Sequence, residues 1–238
     1  MESHSLYGKN PIKAWKEHNA DLESRCAYLN NLGLKYLEYK SANGTDFKVE
    51  LNEDGIFCGG DEKTLKGRVF NPNIPSEEVF TSPKAGAAEG IVYATKPLSY
   101  QGELIENFSV RFQGGKVVEV KAEKGEELLK QMVSMDEGAG MLGECALIPF
   151  DSPINNSGVL FYNTLFDENA SCHLALGHGF NECLKGYENY TNDQCKERGI
   201  NDSMIHVDFM IGAKDMSIVG ITKTGERVQI FRDGNWAF

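Results

Sequence analysis

The sequence predicts an α+β fold with a mixed, mostly antiparallel sheet and a few helices. Three observations support this prediction: helical spacing of apolar residues near the start, short alternating runs through the middle, and a strictly alternating stretch at 203–212. No repeat of roughly 20–50 residues and no low-complexity linker interrupts these patterns. We therefore expect one domain over residues 1–238.

The composition limits the classes of function. The chain has 238 residues, of which 41% are apolar, and a formal net charge of −11. This charge argues against nucleic acid or an anionic membrane surface as partner, because no basic stripe could neutralise phosphates, and it suits a site that binds cations. Without a long apolar segment or a leader pattern, we expect a cytoplasmic protein. The six cysteines form no Cys-x-x-Cys pair, so we expect no disulfides.

A first helix is predicted within residues 10–34. Asn10 is placed at the N-cap and Pro11 at the first helical position, and Gly33 ends the helix. Apolar residues recur between these positions at helical spacing. His18 has no acidic or cysteine partner at ligand spacing, so it is interpreted as a surface histidine without a chemical role.

The rest of the chain, residues 35–238, is predicted to be rich in sheet. Short alternating runs indicate strands at 47–51, 56–58, 91–93 and 105–112. A β-hairpin is predicted over 109–121, with Gly114 and Gly115 in its turn. Helical spacing returns at 125–135.

Two segments present glutamates beside apolar residues. In the proline-bracketed loop 73–83, successive side chains of an extended chain face opposite ways, so one of Glu77 and Glu78 can face a site while the other faces water. Glu144 stands at the head of an apolar run, where a carboxylate is costly to bury unless it is paired or bound to a metal. The alternatives are an acidic surface loop for the pair and a simple strand end for Glu144.

Residues 166–177 are interpreted as a short helix that carries His173. Asn169 or Ser171 could cap this helix, and Gly177 could end it. His173 follows acidic residues and can offer a neutral nitrogen to a metal, although a core histidine is the alternative. His178, just past the helix, is expected to be structural or exposed.

In the alternating stretch at 203–212, His206 and Asp208 point to the same face of a strand. Such a pair is typical of metal ligands or of acid/base partners, and the alternative is a plain hydrogen bond on a half-solvated face. Taken with the other candidates, the two histidines, the aspartate and the glutamates form the nitrogen and oxygen ligand set of a two-metal hydrolase.

Five segments resemble those of the thermophilic-type metalloaminopeptidases, the family of aminopeptidase T and aminopeptidase S; they are 78–83, 95–102, 151–158, 160–173 and 205–212. The resemblance implies a cytosolic, dinuclear exopeptidase that uses Zn, Co or Mn, acts on peptides with a free N-terminus and forms a homodimer. It also implies a set of metal ligands, namely Glu78, Glu144, His173, His206 and Asp208. Glu144 would bridge the ions, and Glu168 would be either a sixth ligand or the base that activates water.

The chain departs from this family in two respects. Its start corresponds to a point nearly halfway along family members, so we expect the metal-binding catalytic domain without the family's amino-terminal α/β domain. Phe180 stands where many members have a site tyrosine, and that role is either vacant or taken by Tyr162 or Tyr187. The predicted function is metal-dependent removal of N-terminal amino acids. The alternatives are a truncated, non-catalytic metal-binding or dimerisation fragment and a structural α+β domain without metal.

Overall fold

The structure is a computed structural model that describes residues 10–64 and 66–238. Helix α1 (Pro11–Asn31) begins where the sequence predicts it, because the Asn10 side chain accepts a hydrogen bond from the Lys13 N–H at 3.1 Å and Pro11 holds the first turn. The later helices are short: α2 (Glu126–Val133), α3 (Pro153–Asn156), α4 (Thr164–Asp167) and α5 (Asn192–Glu197). Single 3-10 turns occur at Glu168–Ala170, Asn181–Cys183 and Tyr187–Asn189.

Most of the described residues outside the helices lie in strands and in the turns between them. The strands, in chain order, are β1 (Leu34–Lys40), β2 (Asp46–Leu51), β3 (Glu62–Lys63), β4 (Val69–Phe70), β5 (Val79–Thr81), β6 (Pro83–Tyr93), β7 (Leu98–Tyr100), β8 (Glu103–Ile105), β9 (Ser109–Gln113), β10 (Lys116–Lys121), β11 (Leu142–Leu147), β12 (His173–Gly177), β13 (His206–Met210), β14 (Ser217–Thr222), β15 (Arg227–Arg232) and β16 (Asn235–Trp236). The predicted α+β fold is confirmed.

The larger sheet contains eight strands in the described part of the chain, in the order β10-β9-β6-β2-β1-β14-β15-β16, and neighbouring strands are antiparallel. Its β9–β10 hairpin confirms the predicted turn, in which Gly114 and Gly115 both take positive φ angles. At Gly115 a side chain would also collide with the backbone of Gly86. Glycine is therefore required there by the turn and by the close approach of a neighbouring strand.

Two strand predictions need correction. Residues 56–58 form no strand, because Ile56 donates one backbone hydrogen bond to Cys183 and Cys58 forms only an isolated bridge with Phe80. The run at 105–112 is divided between β8 and β9, since the chain turns at Asn107, which has a φ of 50°.

The smaller sheet has the order β13-β12-β11-β5 and is also antiparallel. His173 opens β12, so the predicted helix around this residue is wrong. The reason is burial: every residue of β11 and β12 is buried, and a strand covered on both faces does not show the apolar and polar alternation that identifies a strand.

Both sheets contribute to one hydrophobic core. Leu37 and Val49 of the larger sheet and Leu174 and Phe209 of the smaller sheet belong to the same buried cluster. The Phe209 ring lies 5.7 Å from that of Phe108. Because side chains alternate along a strand, the neighbours of Leu174 and Phe209 point away from this core, to the other face of the smaller sheet.

All six cysteines are free thiols. In the described part of the chain, no helix combines the length and the apolar character needed to cross a lipid bilayer.

Candidate metal centre

The face of the smaller sheet opposite the core collects the polar residues that the sequence singles out. Glu144 of β11 pairs with Ala175 of β12, which pairs with Asp208 of β13. Directly paired residues project to the same side of a sheet, so the two carboxylates flank a single methyl group. The small side chain of Ala175 leaves the space between them open. His173 and His206 open β12 and β13, and Glu78 directly precedes β5.

Both histidines are oriented by backbone carbonyls. Nδ1 of His173 lies 2.9 Å from the Glu168 carbonyl oxygen, and Nδ1 of His206 lies 2.7 Å from that of His178. A carbonyl can only accept a hydrogen bond, so in each ring Nδ1 carries the proton. This leaves Nε2 of both rings to face the carboxylates, which is the usual arrangement of histidines that bind metals.

The ligand atoms form two groups that share one residue. Nε2 of His206 lies 3.2 Å from both Glu144 Oε2 and Asp208 Oδ1, and Nε2 of His173 lies 3.4 Å from Glu78 Oε2. Glu78, Glu144 and His173 make one group, and Glu144, His206 and Asp208 make the other; within each group the ligand atoms lie within 4.8 Å of one another. Glu144 is common to both groups, as expected of a carboxylate between two ions.

The chemistry of this donor set fits a divalent cation. Asp208 Oδ1 is buried and no well-aligned hydrogen bond reaches it, which leaves a charged oxygen with an unfilled position. Mixed imidazole and carboxylate donors suit zinc and neighbouring transition metals.

The pKa shifts of the buried groups also favour a bound cation. Burial raises the pKa of Glu78 well above its ordinary value, and the nearby Glu144, Glu168 and Asp208 raise it further. Burial, with Asp208 and Glu144, raises the pKa of Glu168 to about 8. For His206, burial lowers the pKa, but its contacts with Asp208 and Glu144 outweigh this and raise it to about 11. The buried carboxylates thus require a positive charge among them, from protons or from metal ions.

The six predicted site residues line one cavity of about 770 Å³: Glu78, Glu144, Glu168, His173, His206 and Asp208. Glu168 is outside both ligand groups, but Asp208 is close enough to raise the pKa of Glu168. The Phe180 ring lies 4.8 Å from the His206 ring and also lines the cavity. Of the two tyrosines considered as substitutes, Tyr187 lines the cavity, whereas Tyr162 is not among the lining residues and is 62% exposed.

Two predictions about neighbouring residues are wrong. The His18 side chain is 8% exposed; its Nε2–H donates to the Ser76 carbonyl at 2.6 Å and lies 3.8 Å from Glu77 Oε2. Glu77 faces this histidine and is 13% exposed, so it does not face water. The partners are about sixty positions apart, so ligand spacing along the helix could not reveal them. His178 is largely exposed, as predicted, but its backbone carbonyl orients His206, and no sequence signal indicates that role.

Comparison with known proteins agrees with the resemblance seen in the sequence. The sequence pattern of the family described as thermophilic metalloprotease (M29) matches residues 1–236. The chain is 48% identical over 229 residues to aminopeptidase AmpS of Bacillus subtilis (strain 168), covering 96% of this chain and 56% of the relative. It is 45% identical over 228 residues to aminopeptidase T of Thermus aquaticus, covering 96% of this chain and 55% of the relative.

A solved structure also matches. Wild-type AmpT from Thermus thermophilus superimposes with a TM-score of 0.89 at 45% identity, over 96% of this chain and 56% of that one. The chain spans about half the length of the curated relatives it matches. A family pattern that covers nearly the whole chain, close relatives and a shared fold lead to one conclusion: the chain belongs to the thermophilic metalloprotease family M29.

Proposed function

We propose that this chain is the metal-binding catalytic part of an aminopeptidase that removes amino acids from the N-terminus of peptides. The observation that carries the proposal is the pair of ligand groups that share Glu144, with both histidine Nε2 atoms directed into them. The relatives AmpS and aminopeptidase T are named as aminopeptidases, which supports the reaction type.

Two divalent ions are part of this proposal. Glu78, Glu144 and His173 would hold one ion, and Glu144, His206 and Asp208 the other. When bound, the two ions would lower the pKa of a water molecule and polarise the scissile carbonyl. Zn, Co and Mn all accept such mixed nitrogen and oxygen ligands, so the identity of the ions follows their supply.

Glu168 is proposed as the general base rather than as a ligand. It lines the cavity outside both ligand groups, where its carboxylate can accept a proton from water and return it to the leaving amine. The backbone carbonyls of Glu168 and His178 keep both histidines in a ligand orientation throughout. The rings of Phe80 and Phe180 cover part of the cavity wall and exclude water from it.

The outer lining of the cavity suits a substrate with a free amine. Apart from the proposed ligands and Glu168, four carboxylates line the described part of the cavity: Glu23, Asp61, Glu62 and Glu182. Lys63 is the single lysine or arginine in this part of the lining. A cleft lined mainly by one sign of charge concentrates the opposite sign. An N-terminal ammonium group is therefore favoured over a blocked N-terminus, which supports an exopeptidase.

The test combines metal analysis with activity. Protein purified without chelator is expected to hold close to two divalent ions and to hydrolyse a leucyl or phenylalanyl chromogenic amide, and His206→Ala is expected to lose that rate. Zero or one tightly held ion at saturating metal would refute the dinuclear proposal.

Metal binding without turnover is the second candidate function. It is favoured by one observation, that the chain matches only 55–56% of the length of its curated relatives. Two bound ions with no hydrolysis rate above that of His206→Ala would favour metal binding without turnover. A homodimer and a cytoplasmic location stay predictions; light scattering of the purified chain tests the first, and localisation of the tagged chain in cells tests the second.

A further inference from the structure

The ligand Glu78 has an asymmetric backbone environment. On its C-terminal side, Val79 pairs with Leu147 in the β5–β11 ladder. On its N-terminal side, residues 71–78 form neither helix nor strand. The position of the Glu78 carboxylate therefore depends on whatever holds this irregular segment in place.

Asn169 holds that segment. Its Oδ1 accepts a hydrogen bond from the Glu77 backbone N–H at 2.7 Å, and its Nδ2 donates to the Leu165 carbonyl at 2.9 Å. Asn169 is 1% exposed, so both bonds are shielded from water. Because both the oxygen and the nitrogen of its side-chain amide are hydrogen-bonded, Asn169 can fix the position of the peptide unit next to Glu78.

The same 3-10 turn also orients the partner of Glu78. The carbonyl of Glu168, the residue before Asn169, accepts the Nδ1–H of His173 at 2.9 Å. Adjacent residues of one turn thus fix Glu78 through Asn169 and His173 through Glu168. This explains how Glu78, which directly precedes β5, and His173 of β12 come within 3.4 Å of each other.

We propose that Asn169 is a positioning residue that sets Glu78 for the ion held by Glu78, Glu144 and His173. The inference rests on the proposed two-metal function. Ligand distances in metal sites are held to about 0.2 Å, so a shift of the Glu77 peptide unit on losing this bond is enough to weaken that ion. The second ligand group has no member next to the Asn169 contact, so its ion is affected less.

The experiment is a two-step cobalt(II) titration with chelator competition, in which visible absorption distinguishes the sites. Asn169→Ala is expected to weaken one ion by about 10- to 100-fold and to leave the other within about threefold of wild type. Asn169→Asp keeps the oxygen that accepts from Glu77 and loses the donor to Leu165, so it is expected to hold that ion more tightly than Asn169→Ala does. A general structural defect would not be selective for one ion and would not be rescued in this way.

Asn30→Ala is the control, because Asn30 makes two similar hydrogen bonds, to the N–H and the carbonyl of Phe57, a residue of neither ligand group. It is expected to bind both ions as wild type does. The inference alone is overturned if Asn169→Ala binds both ions as the wild type does, or if Asn30→Ala loses affinity for one ion to the same extent. Fewer than two ions in the wild-type chain overturns the proposed function and the inference with it. Should Asn169→Ala not fold, Asn169→Ser, which also lacks the amide oxygen, takes its place with the same outcomes.

Discussion

The two main sheets have the same antiparallel pairing but opposite distributions of charge. In the larger sheet, β1 and β2 alternate between buried and more accessible positions, and ion pairs such as Lys84–Glu50 lie on the accessible side. In the smaller sheet, β11 and β12 are buried at every position, and yet Glu144 and His173 lie there. Charge that is solvated in one sheet is enclosed in the other.

Two glutamates show the consequence of this difference. In β1, the hydrogen bond from Arg227 lowers the pKa of Glu38. Next to β5, burial and neighbouring carboxylates raise the pKa of Glu78 well above its ordinary value. The larger sheet stabilises the ionised form with basic side chains, whereas the smaller sheet disfavours it until a cation is supplied. An enclosed cluster of this kind indicates a functional site more strongly than the number of acidic residues does.

The largest expected difference between the sheets is in metal binding. Glu144→Gln removes a charge shared by both ligand groups, so we expect both ions to be weakened by at least about 100-fold, more than the loss of an outer contact usually causes. Glu50→Gln is the control in the larger sheet, where the glutamate is paired with Lys84 and is 25% exposed. Chelator competition measures both variants, and equal affinities would contradict the assignment of Glu144 as the shared ligand.

The next prediction concerns what the sheets have in common. Leu174 and Leu37 are fully buried in the shared core, so each Leu→Ala change should lower the free energy of unfolding by about 2–5 kcal/mol. Urea denaturation of chelator-treated protein measures the change without any contribution from metal. If Leu174→Ala cost much less than Leu37→Ala, the smaller sheet would not be integrated into the core.

The last prediction concerns the dependence of stability on pH. Folding raises the pKa of Glu78, takes that of Glu168 to about 8, and takes that of His206 to about 11. The folded, metal-free chain therefore keeps protons that the unfolded chain has already released, and its free energy of unfolding should fall as pH rises from about 5 to 8. Melting temperatures with chelator should show this fall, and added metal should reduce it.

Glu168→Gln provides the control, because it removes one of the titrating groups and should make the decline with pH less steep. A chelator-treated protein that became more stable over the same pH interval would contradict the assignment of raised pKa values in the smaller sheet. Such a result would mean that the acidic groups of the smaller sheet have lowered pKa values, as Glu38 of the larger sheet has.

Local signals in the sequence predict the parts of the fold that local chemistry determines. Asn10 and Pro11 specify the start of α1, and Gly114 and Gly115 specify the hairpin, because a cap and a turn each involve only a few consecutive residues. The alternation at 203–212 likewise predicts the shared direction of His206 and Asp208. The grouping of all six candidates in one cavity agrees with the ligand set that the sequence and the resemblance imply.

Features that depend on distant partners could not be predicted in this way. The sequence predicts a helix at His173 because a strand buried on both faces has the same apolar composition as a short buried helix. The contact of His18 with Ser76 and the hydrogen bond of Asn169 to Glu77 join residues far apart in sequence, so no periodicity reports them. The role of the His178 carbonyl is even harder to predict from the sequence, because every residue has a backbone carbonyl.

The distribution of the ligands along the chain has a consequence for folding. The proposed ligands His206 and Asp208 lie in the edge strand β13, and Glu78 directly precedes the other edge strand, β5. Glu144 and His173 come from the two strands between them. No short segment therefore contains a complete ligand group, and an ion binds the unfolded chain poorly. Each proposed ion would act as a reversible cross-link that closes long loops, one joining the start of β5 to β11 and β12, and the other joining β11 to β13. At a free concentration of 100 times its dissociation constant, one such ion would add about 2.7 kcal/mol to the free energy of unfolding, so the supply of metal would govern the stability of the chain as well as its proposed activity.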